Sequence, residues 1–227
     1  MTIQQIMIGR NGGDPNFASV TLLMEAAAGG VADLSLSART VTANNGAALS
    51  ATQSKFGGQS YSFIDAGAND GFFTFSGSGA SFNLGSGDFT IECFVYYISS
   101  ANVFFIANSD RAASAGSWGL RTNTTGRVVW DVGGGPAYIS TGALTNNGWT
   151  HLAVVRVSGT MKVAFDGTFD VTTVGDANNY SVVSSTAYVG ARNAGENNGY
   201  LDQIRFTPGV ARYTSNFTAP TAAFPIA

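Results

Sequence analysis

Acid–base chemistry in this chain of 227 residues would have to come from a small set of side chains. The three glutamates are Glu25, Glu92 and Glu196, and none has a second carboxylate at the spacing that places two side chains on one strand face. Glycosidic cleavage normally needs two carboxylates across the bond, one of them with a raised pKa. Asp65 and Asp70 lie in a glycine-rich stretch that is typical of a turn. The sequence therefore predicts a protein that is not an enzyme.

The only histidine, His151, alternates in phase with Trp149 and Val155. This pattern favours a buried, hydrogen-bonded core residue over a catalytic base. The chain also has no Gly-x-Ser-x-Gly motif between a strand and a helix, which a serine nucleophile elbow would require. Cys93 is the one cysteine, so neither an intrachain disulfide nor a cysteine-based metal site is possible, and it is predicted to be a small buried side chain.

Three oxygen-rich loops are candidates for a calcium site, because Ca²⁺ takes six to eight oxygen ligands. They contain Asp110, Asp176 and the run Glu196, Asn197 and Asn198. None has the dense alternation of acids that a self-contained site requires. We therefore expect no cofactor, with Ca²⁺ left as a possibility that the residues do not support.

Glycan recognition would use exposed aromatic rings beside amide side chains at loop tips. Trp118 and Tyr138 flank the loops "SDRAASAGS" and "VGGGPAY" and are the candidate aromatic residues, whereas Trp130 alternates with valines as a core residue would. The amides of Asn197 and Asn198 complete the set of candidate ligand-binding residues. Packing remains the alternative role for both rings.

The elements that must position these residues are predicted to be strands. Short runs of alternating apolar residues recur between Gly, Asn and Ser turns, which is typical of an all-β sandwich or barrel. The only helix-friendly window is "VTLLMEAAAGG", and its alternation predicts a strand over residues 18–24 instead. Asp166-Gly167 predicts a type I′ hairpin, and Ser158-Gly159-Thr160 a second turn, so that residues 149–174 form a three-stranded meander.

Composition narrows the possible partners. Charged residues make up 11% of the chain, the formal net charge is −3 and there are only two lysines, so no cluster of cations is available for a phosphate backbone. We expect no nucleic-acid partner. The N-terminus lacks the pattern of a secretory signal, and no apolar run approaches the ~20 residues of a membrane span. These features predict a protein made in a cytoplasm that does not insert into a membrane.

Residues 1–13 precede the first predicted strand and contain Ile3, Ile6, Met7 and Ile8, followed by the flexible stretch "GRNGG". A segment this short cannot build a core of its own. We interpret it as an attachment arm that docks on a neighbouring subunit or another protein, for example by adding a strand to a partner sheet. Docking on its own sandwich is the alternative.

Three runs of the sequence resemble the laminin G-like, or concanavalin A-like, β-sandwich family. They are "GDFTIECFVYY", "NNGWTHLAVVRVSGTMKVAFDGT" and "AYVGARNAGENNGYLDQIRFTPGVARYTSNFTAP". The runs "DPNFASVTLLMEA" and "SARTVTANNGAALSATQSKFGGQSYSF" are similar to the opening of such domains in bacteriophage structural proteins. The tail "TPGVARYTSNFTAP" resembles the end of the same bacteriophage domains, and the resemblance covers residues 14–225.

The resemblance implies an all-β, concanavalin A-like jelly roll of two antiparallel sheets over residues 14–227. It implies that the last strand pairs beside the first and that the following tail lies on the sandwich edge. Tyr213 and Phe217 would then cover apolar surface, or alternatively display a ligand site. Asp202 matches an acidic position common in the family, and we expect it to bond a neighbouring strand or loop.

The resemblance also implies a non-catalytic virion structural protein: a phage tail, fibre or capsid-decorating component. Such a protein would lie on the virion surface, bind other virion proteins, form a homo-oligomer and adhere to a host-surface glycan. The alternative is a soluble carbohydrate-binding lectin module, and a glycoside hydrolase is the third reading.

Overall fold

A computed structural model describes the chain over residues 13–63, 71–77, 82–98, 104–107, 116–181, 187–190 and 199–226. These residues contain a 3₁₀ turn at Phe17–Ser19 and one short helix, α1 (Ala26–Gly29). No helix in these ranges has the length and apolar character needed to cross a membrane. The strands are β1 (Leu22–Met24), β2 (Val41–Asn44), β3 (Ala48–Ser50), β4 (Ser60–Ser62), β5 (Phe72–Phe75), β6 (Phe89–Tyr97), β7 (Phe104–Ala107), β8 (Trp118–Thr122), β9 (Arg127–Val132), β10 (Gly135–Ala143), β11 (Gly148–Val157), β12 (Thr160–Phe165), β13 (Thr168–Gly175), β14 (Tyr188–Gly190) and β15 (Gly199–Pro208).

The strands form two antiparallel sheets, as the fold prediction required. The eight-stranded sheet has the order β13-β12-β11-β6-β15-β4-β3, and β1 also pairs with β15. The seven-stranded sheet has the order β10-β9-β8-β7-β14-β5-β2. Since neighbours in space are often distant in sequence, both sheets have jelly-roll connectivity, and the prediction of a two-sheet, all-β sandwich is confirmed.

The core lies between the two sheets and is filled by alternate residues of their strands. Leu152 and Val154 of β11 belong to this core, while Ala153 and Val155 of the same strand face the opposite way. Cys93 is also buried in the core, as predicted. The buried side chains that the seven-stranded sheet contributes include Phe73, Phe75, Ile106, Leu120, Val128, Trp130 and Val189.

The predicted hairpins are present. Asp166 and Gly167 have φ values of 48° and 85°, as a type I′ turn between β12 and β13 requires. Ser158 and Gly159, at 49° and 72°, join β11 to β12 in the same way. The prediction of a three-stranded meander is therefore confirmed.

The strand predicted over residues 18–24 is shorter than expected. The segment begins as a 3₁₀ turn, in which the Ser19 amide bonds the Asn16 carbonyl, and only Leu22–Met24 pairs with β15. The rest of the apolar window becomes α1. Alternation alone overestimated the strand because pairing with β15 extends over three residues only.

The last strand pairs beside the first, with Leu22 opposite Phe206, as the resemblance implied. The tail after β15, residues 209–226, does not lie on the sandwich edge. It crosses the outer face of the eight-stranded sheet, where Tyr213 and Phe217 pack against Ala153 and Val155. The tail takes this path because three outward residues of β11 and β12, Ala153, Val155 and Ala164, are apolar and would otherwise meet water.

Candidate functional site

Six charged or polar side chains meet on the outer face of the eight-stranded sheet, beneath the tail. Strand alternation turns Glu92 of β6 and His151 of β11 to this face, and Arg205 of β15 lies beside Glu92. The segment before the 3₁₀ turn supplies one more carboxylate, and the tail supplies a guanidinium and a phenol. We call this set the buried charge cluster: Asp14, Glu92, His151, Arg205, Arg212 and Tyr213.

Ion pairs connect the cluster. Arg205 donates from Nε and Nη2 to Glu92 Oε1 at 3.0 and 2.8 Å, and from Nη1 to Asp14 Oδ2 at 3.1 Å. Arg212 donates to both oxygens of Asp14, at 3.0 and 2.7 Å. Two carboxylates and two guanidinium groups therefore balance one another out of water, which is the condition under which buried charges are tolerated.

His151 is fully buried and lies 3.2 Å, through Nε2, from Glu92 Oε2. Its Nδ1 has no hydrogen-bond partner within the described residues. Since a carboxylate can only accept, the proton on this contact belongs to His151 Nε2. The histidine is thus buried and hydrogen-bonded, as its alternation predicted, but it lies on the outer face beneath the tail and not in the core between the sheets.

The pKa of Glu92 is shifted in the direction that does not suit a general acid. Burial alone would raise its pKa, but the Arg205 guanidinium and the His151 contact outweigh burial and lower the pKa to about 2. Burial and the Glu92 charge raise the pKa of Tyr213, so its hydroxyl stays protonated and donates to Glu92 Oε2 at 2.9 Å. A glycosidase acid needs a raised carboxyl pKa, and Glu92 has the opposite. The cluster is suited to holding the tail on the sheet.

The two aromatic residues predicted to meet a glycan are both in the core. Trp118 is 2% exposed, stacks on Trp130 at 4.9 Å between ring centroids, and donates its indole N–H to the Phe82 carbonyl. Tyr138 is 3% exposed, and its hydroxyl donates to the Thr172 carbonyl at 3.2 Å. Because β8 and β10 turn these side chains inward, neither ring leaves a face for a sugar. Asn197 and Asn198 lie outside the described residues.

Two predicted acidic positions have structural partners. Asp202 accepts a hydrogen bond from the Phe56 amide at 3.1 Å, which ties β15 to the loop before β4, and burial raises its pKa. Asp176 binds the Arg156 guanidinium at 3.0 Å. Within the described ranges no group of three or more His, Cys, Asp or Glu side chains could hold a metal ion. The described part of the chain therefore gives a calcium site no further support.

Other predicted residues lie outside the described ranges. They are Ile3, Ile6, Met7, Ile8, Asp65, Asp70, Asp110 and Glu196.

The outer face of the seven-stranded sheet carries a separate ion pair. Arg121 of β8 donates from Nε and Nη2 to the two oxygens of Asp131 on β9, at 2.6 and 3.2 Å. The side chains keep 13% and 10% of their exposure, and Gly119 lies opposite Asp131 across the strands. The pair therefore links β8 to β9 and keeps a small exposed fraction on this face.

The sequence analysis predicted neither the buried charge cluster nor the Arg121–Asp131 pair, although the sequence contains a signal for the cluster. Glu92 and Arg205 each interrupt an apolar strand at a position that alternates away from the core. A charge at such a position indicates that a partner covers the outer face. Asp14 and Arg205 are 191 positions apart, so the pairing itself could not be read from local spacing.

Comparison with known proteins agrees with this architecture. Residues 67–211 match a laminin G-like family model described as the concanavalin A-like lectin/glucanases superfamily. No curated protein sequence matches the chain significantly.

Solved structures similar to the chain include three of botulinum neurotoxins. One concerns the type C toxin and its interaction with two ganglioside molecules, with a TM-score of 0.61 and 13% identity over 85% of this chain and 48% of that one. A type DC binding domain in complex with rat synaptotagmin II has a TM-score of 0.59 and 12% identity, over 85% of this chain and 49% of that one. The same type of domain in complex with SialylT has a TM-score of 0.60 and 12% identity, over 85% of this chain and 48% of that one. The chain spans about half the length of these toxin chains, and at this identity the similarity establishes the fold alone.

Proposed function

Because the chain belongs to the concanavalin A-like lectin/glucanases superfamily, we propose that it is a non-catalytic, lectin-like structural protein of a virion. It would be a bacteriophage tail, fibre or capsid-decorating component that attaches to other virion proteins and adheres to a host-surface glycan. The phage context is supported by the resemblance of the opening runs and of the tail "TPGVARYTSNFTAP". It would act on the virion surface after synthesis in the host cytoplasm.

The state of Glu92 is the observation that favours binding over catalysis. Glu92 contacts the only histidine of the chain, and both side chains are fully buried beneath Tyr213 and the two arginines. A substrate could reach them only if the tail left the sheet. The chemical groups closest to a catalytic pair in the described residues are thus used to hold the fold together.

Adhesion to a glycan is supported by two further observations. Among the similar structures, one toxin is described by its interaction with gangliosides and another by its complex with SialylT. In this chain the Arg121–Asp131 pair places hydrogen-bonding groups with residual exposure on the outer face of the seven-stranded sheet. The same two observations also support the alternative, a soluble lectin module, which would bind a glycan without attaching to virion proteins.

Three measurements test the proposal. Immunogold labelling of source particles should place the protein on the virion; free protein with no particle label would favour the soluble lectin. A glycan array should give micromolar or tighter binding, and failure on the array would remove the adhesive role. Reducing-end release from the bound polysaccharide should stay at background, and turnover would identify a hydrolase instead.

The proposal includes no bound metal. EDTA should leave the melting temperature of the purified chain unchanged, because a ligand that binds only the native state raises stability by mass action and its removal lowers it. Differential scanning calorimetry with and without added Ca²⁺ measures this. A fall of several degrees that calcium reverses would contradict the proposal.

A further inference from the structure

Three aromatic residues form a continuous row across the outer face of the eight-stranded sheet, at the end away from the tail residues Tyr213 and Phe217. Trp149 of β11 lies opposite Tyr96 of β6, which lies opposite Tyr200 of β15. The ring centroids of Trp149 and Tyr96 are 5.5 Å apart at 65°, and those of Tyr96 and Tyr200 are 5.9 Å apart at 79°. We call Trp149, Tyr96 and Tyr200 the aromatic row.

The aromatic row is less covered than the neighbouring outward positions. His151 and Phe94, next along the same strands, are buried beneath Phe217 and Phe224. Trp149 and Tyr96 keep intermediate exposure, while Tyr200 is 5% exposed. Trp149 and Tyr96 therefore offer surface to a ligand, and Tyr200 braces Tyr96 from the other side.

One side of Trp149 packs against a second apolar cluster, which contains Phe94 and Phe224, and part of the ring stays exposed. The inward positions beside the aromatic row are filled by Val95, Tyr97 and Leu201, which belong to the central core. Two large aromatic side chains at neighbouring half-exposed positions form an apolar patch, and such patches commonly mark binding sites. Because the two ring planes are inclined to each other, they form a notch rather than a flat surface.

Two uncharged polar side chains lie in the turn that precedes Trp149. Asn146 and Asn147, in the turn before β11, are exposed amides that can donate and accept hydrogen bonds. The turn is held in place, since the Asn147 amide donates to the Tyr97 carbonyl at 2.7 Å and the Leu144 amide to the Gly126 carbonyl at 2.9 Å. A site prearranged in this way loses little entropy when it binds.

We propose that the Trp149–Tyr96 notch binds a pyranose ring of an uncharged glycan. The apolar C–H face of the sugar would stack on the indole of Trp149, with the ring edge against Tyr96, and its hydroxyl groups would meet the amides of Asn146 and Asn147. Aromatic rings with a polar tip suit a ligand that has both an apolar face and a polar rim. This inference rests on the proposed adhesive function and assigns it a site on the sheet opposite to Arg121–Asp131.

The full chain and its variants should be titrated with the neutral glycans that it binds on an array. Trp149→Ala should weaken binding by at least about tenfold, as expected for a central aromatic contact, whereas Trp149→Phe should retain most of it. Phe72→Ala is the matched control, because Phe72 is a half-buried ring in a similar edge-to-face pair with Tyr188, on the other sheet. It should leave affinity unchanged.

Tryptophan fluorescence gives a second readout that needs no variant. Trp118 and Trp130 are 2% and 1% exposed, so Trp149 is the tryptophan that a ligand can reach from solvent. Bound sugar should shift the emission to the blue and protect it from acrylamide quenching.

The outcomes separate the inference from the proposed function. If the wild type binds neutral glycans while Trp149→Ala binds equally well and the emission is unchanged, the notch is not the site but the adhesive role stands. If the wild type binds only charged glycans, the inference that the notch is the site is likewise wrong, but the proposed adhesive function stands. If the wild type binds no glycan of any kind, both fail.

Discussion

Glu92 stays ionised at a position that water cannot reach. Its neighbours explain this, because Arg205 binds one carboxylate oxygen twice while His151 and Tyr213 bind the other. Removing one partner of such a cluster leaves an uncompensated charge, which costs far more than the intact pair contributes. The cluster therefore acts as a clamp whose stability depends on the charge of Glu92.

Acid should release this clamp. Because the pKa of Glu92 falls from 4.5 to about 2 on folding, its contribution to stability is fully present above pH 4.5 and is lost as the pH falls towards 2. Glu92→Gln should lower the free energy of unfolding at pH 7 by about 3–5 kcal/mol and flatten this part of the pH profile. Denaturant unfolding between pH 2 and 7 measures both. Equal slopes for variant and wild type would refute the assignment.

Gly167 illustrates a second residue-scale constraint. Its φ of +85° already disfavours other residues, and a Cβ there would lie 2.0 Å from the Phe217 carbonyl oxygen of the tail. Gly159 has nearly the same backbone, with φ of +72°, but a Cβ there would meet only the Asp176 oxygen at 3.7 Å. Comparing alanine substitutions at the two glycines therefore separates the energetic cost of turn strain from the cost of contact with the tail.

Gly159→Ala should cost about 1–2 kcal/mol, the price of a left-handed alanine. Gly167→Ala should cost at least about 2 kcal/mol more, since the tail must also move. Thermal or urea unfolding of the two variants gives the difference directly. Similar losses would mean that the tail does not rest on the turn in solution.

At the scale of elements, the tail works as part of the sheet that it covers. Its amide at Phe217 donates to the Gly167 carbonyl, and Tyr213 stacks on Phe217 at 3.6 Å. Further along, Phe224 and Ile226 pack with Phe94 and Leu23 in a second apolar cluster. The central strands of the eight-stranded sheet, β6, β11 and β15, are thus buried on both faces over most of their length.

Tyr213→Phe tests the polar part of this attachment. It keeps the stacked ring but removes the hydroxyl that donates to a carboxylate, and should lower stability by about 1.5–3 kcal/mol. Tyr138→Phe is the control, because its hydroxyl donates chiefly to a backbone carbonyl, and the loss should be about 0.5–1.5 kcal/mol. Chemical denaturation of both variants provides the comparison. A smaller effect at Tyr213 than at Tyr138 would contradict the clamp.

At the scale of the whole molecule, side chains join the two sheets where their edges meet. Asp170 of β13 accepts hydrogen bonds from the amides of Thr141 and Gly142 on β10, at 3.1 and 2.6 Å. Burial alone would raise the pKa of Asp170, but the hydrogen bonds from these amides outweigh burial and lower the pKa. Asp170 therefore links the edge strand β13 of one sheet to the edge strand β10 of the other.

The proposed attachment arm leads to a prediction at this scale. Deleting residues 1–12 should leave the melting temperature of the domain within a few degrees of the full chain, because we propose that this arm docks on a neighbouring protein and not on its own sandwich. The same deletion should abolish incorporation into particles. Calorimetry and a particle-incorporation assay measure the two effects. A truncated chain that unfolds readily yet still incorporates would rule out the arm.

The sequence by itself determined the all-β class, the hairpins at Ser158-Gly159 and Asp166-Gly167, and which residues of β11 share a face. These features depend on neighbours within a few positions, namely on side-chain alternation and on turn residues that tolerate positive φ. Only the tertiary structure decided what lies on each face. Trp118 and Tyr138 flank predicted loops but point into the core, and Glu92 finds Arg205 at 113 positions' distance. Alternation assigns a side chain to a face, whereas the path of the remaining chain determines whether that face is core, covered surface or open surface.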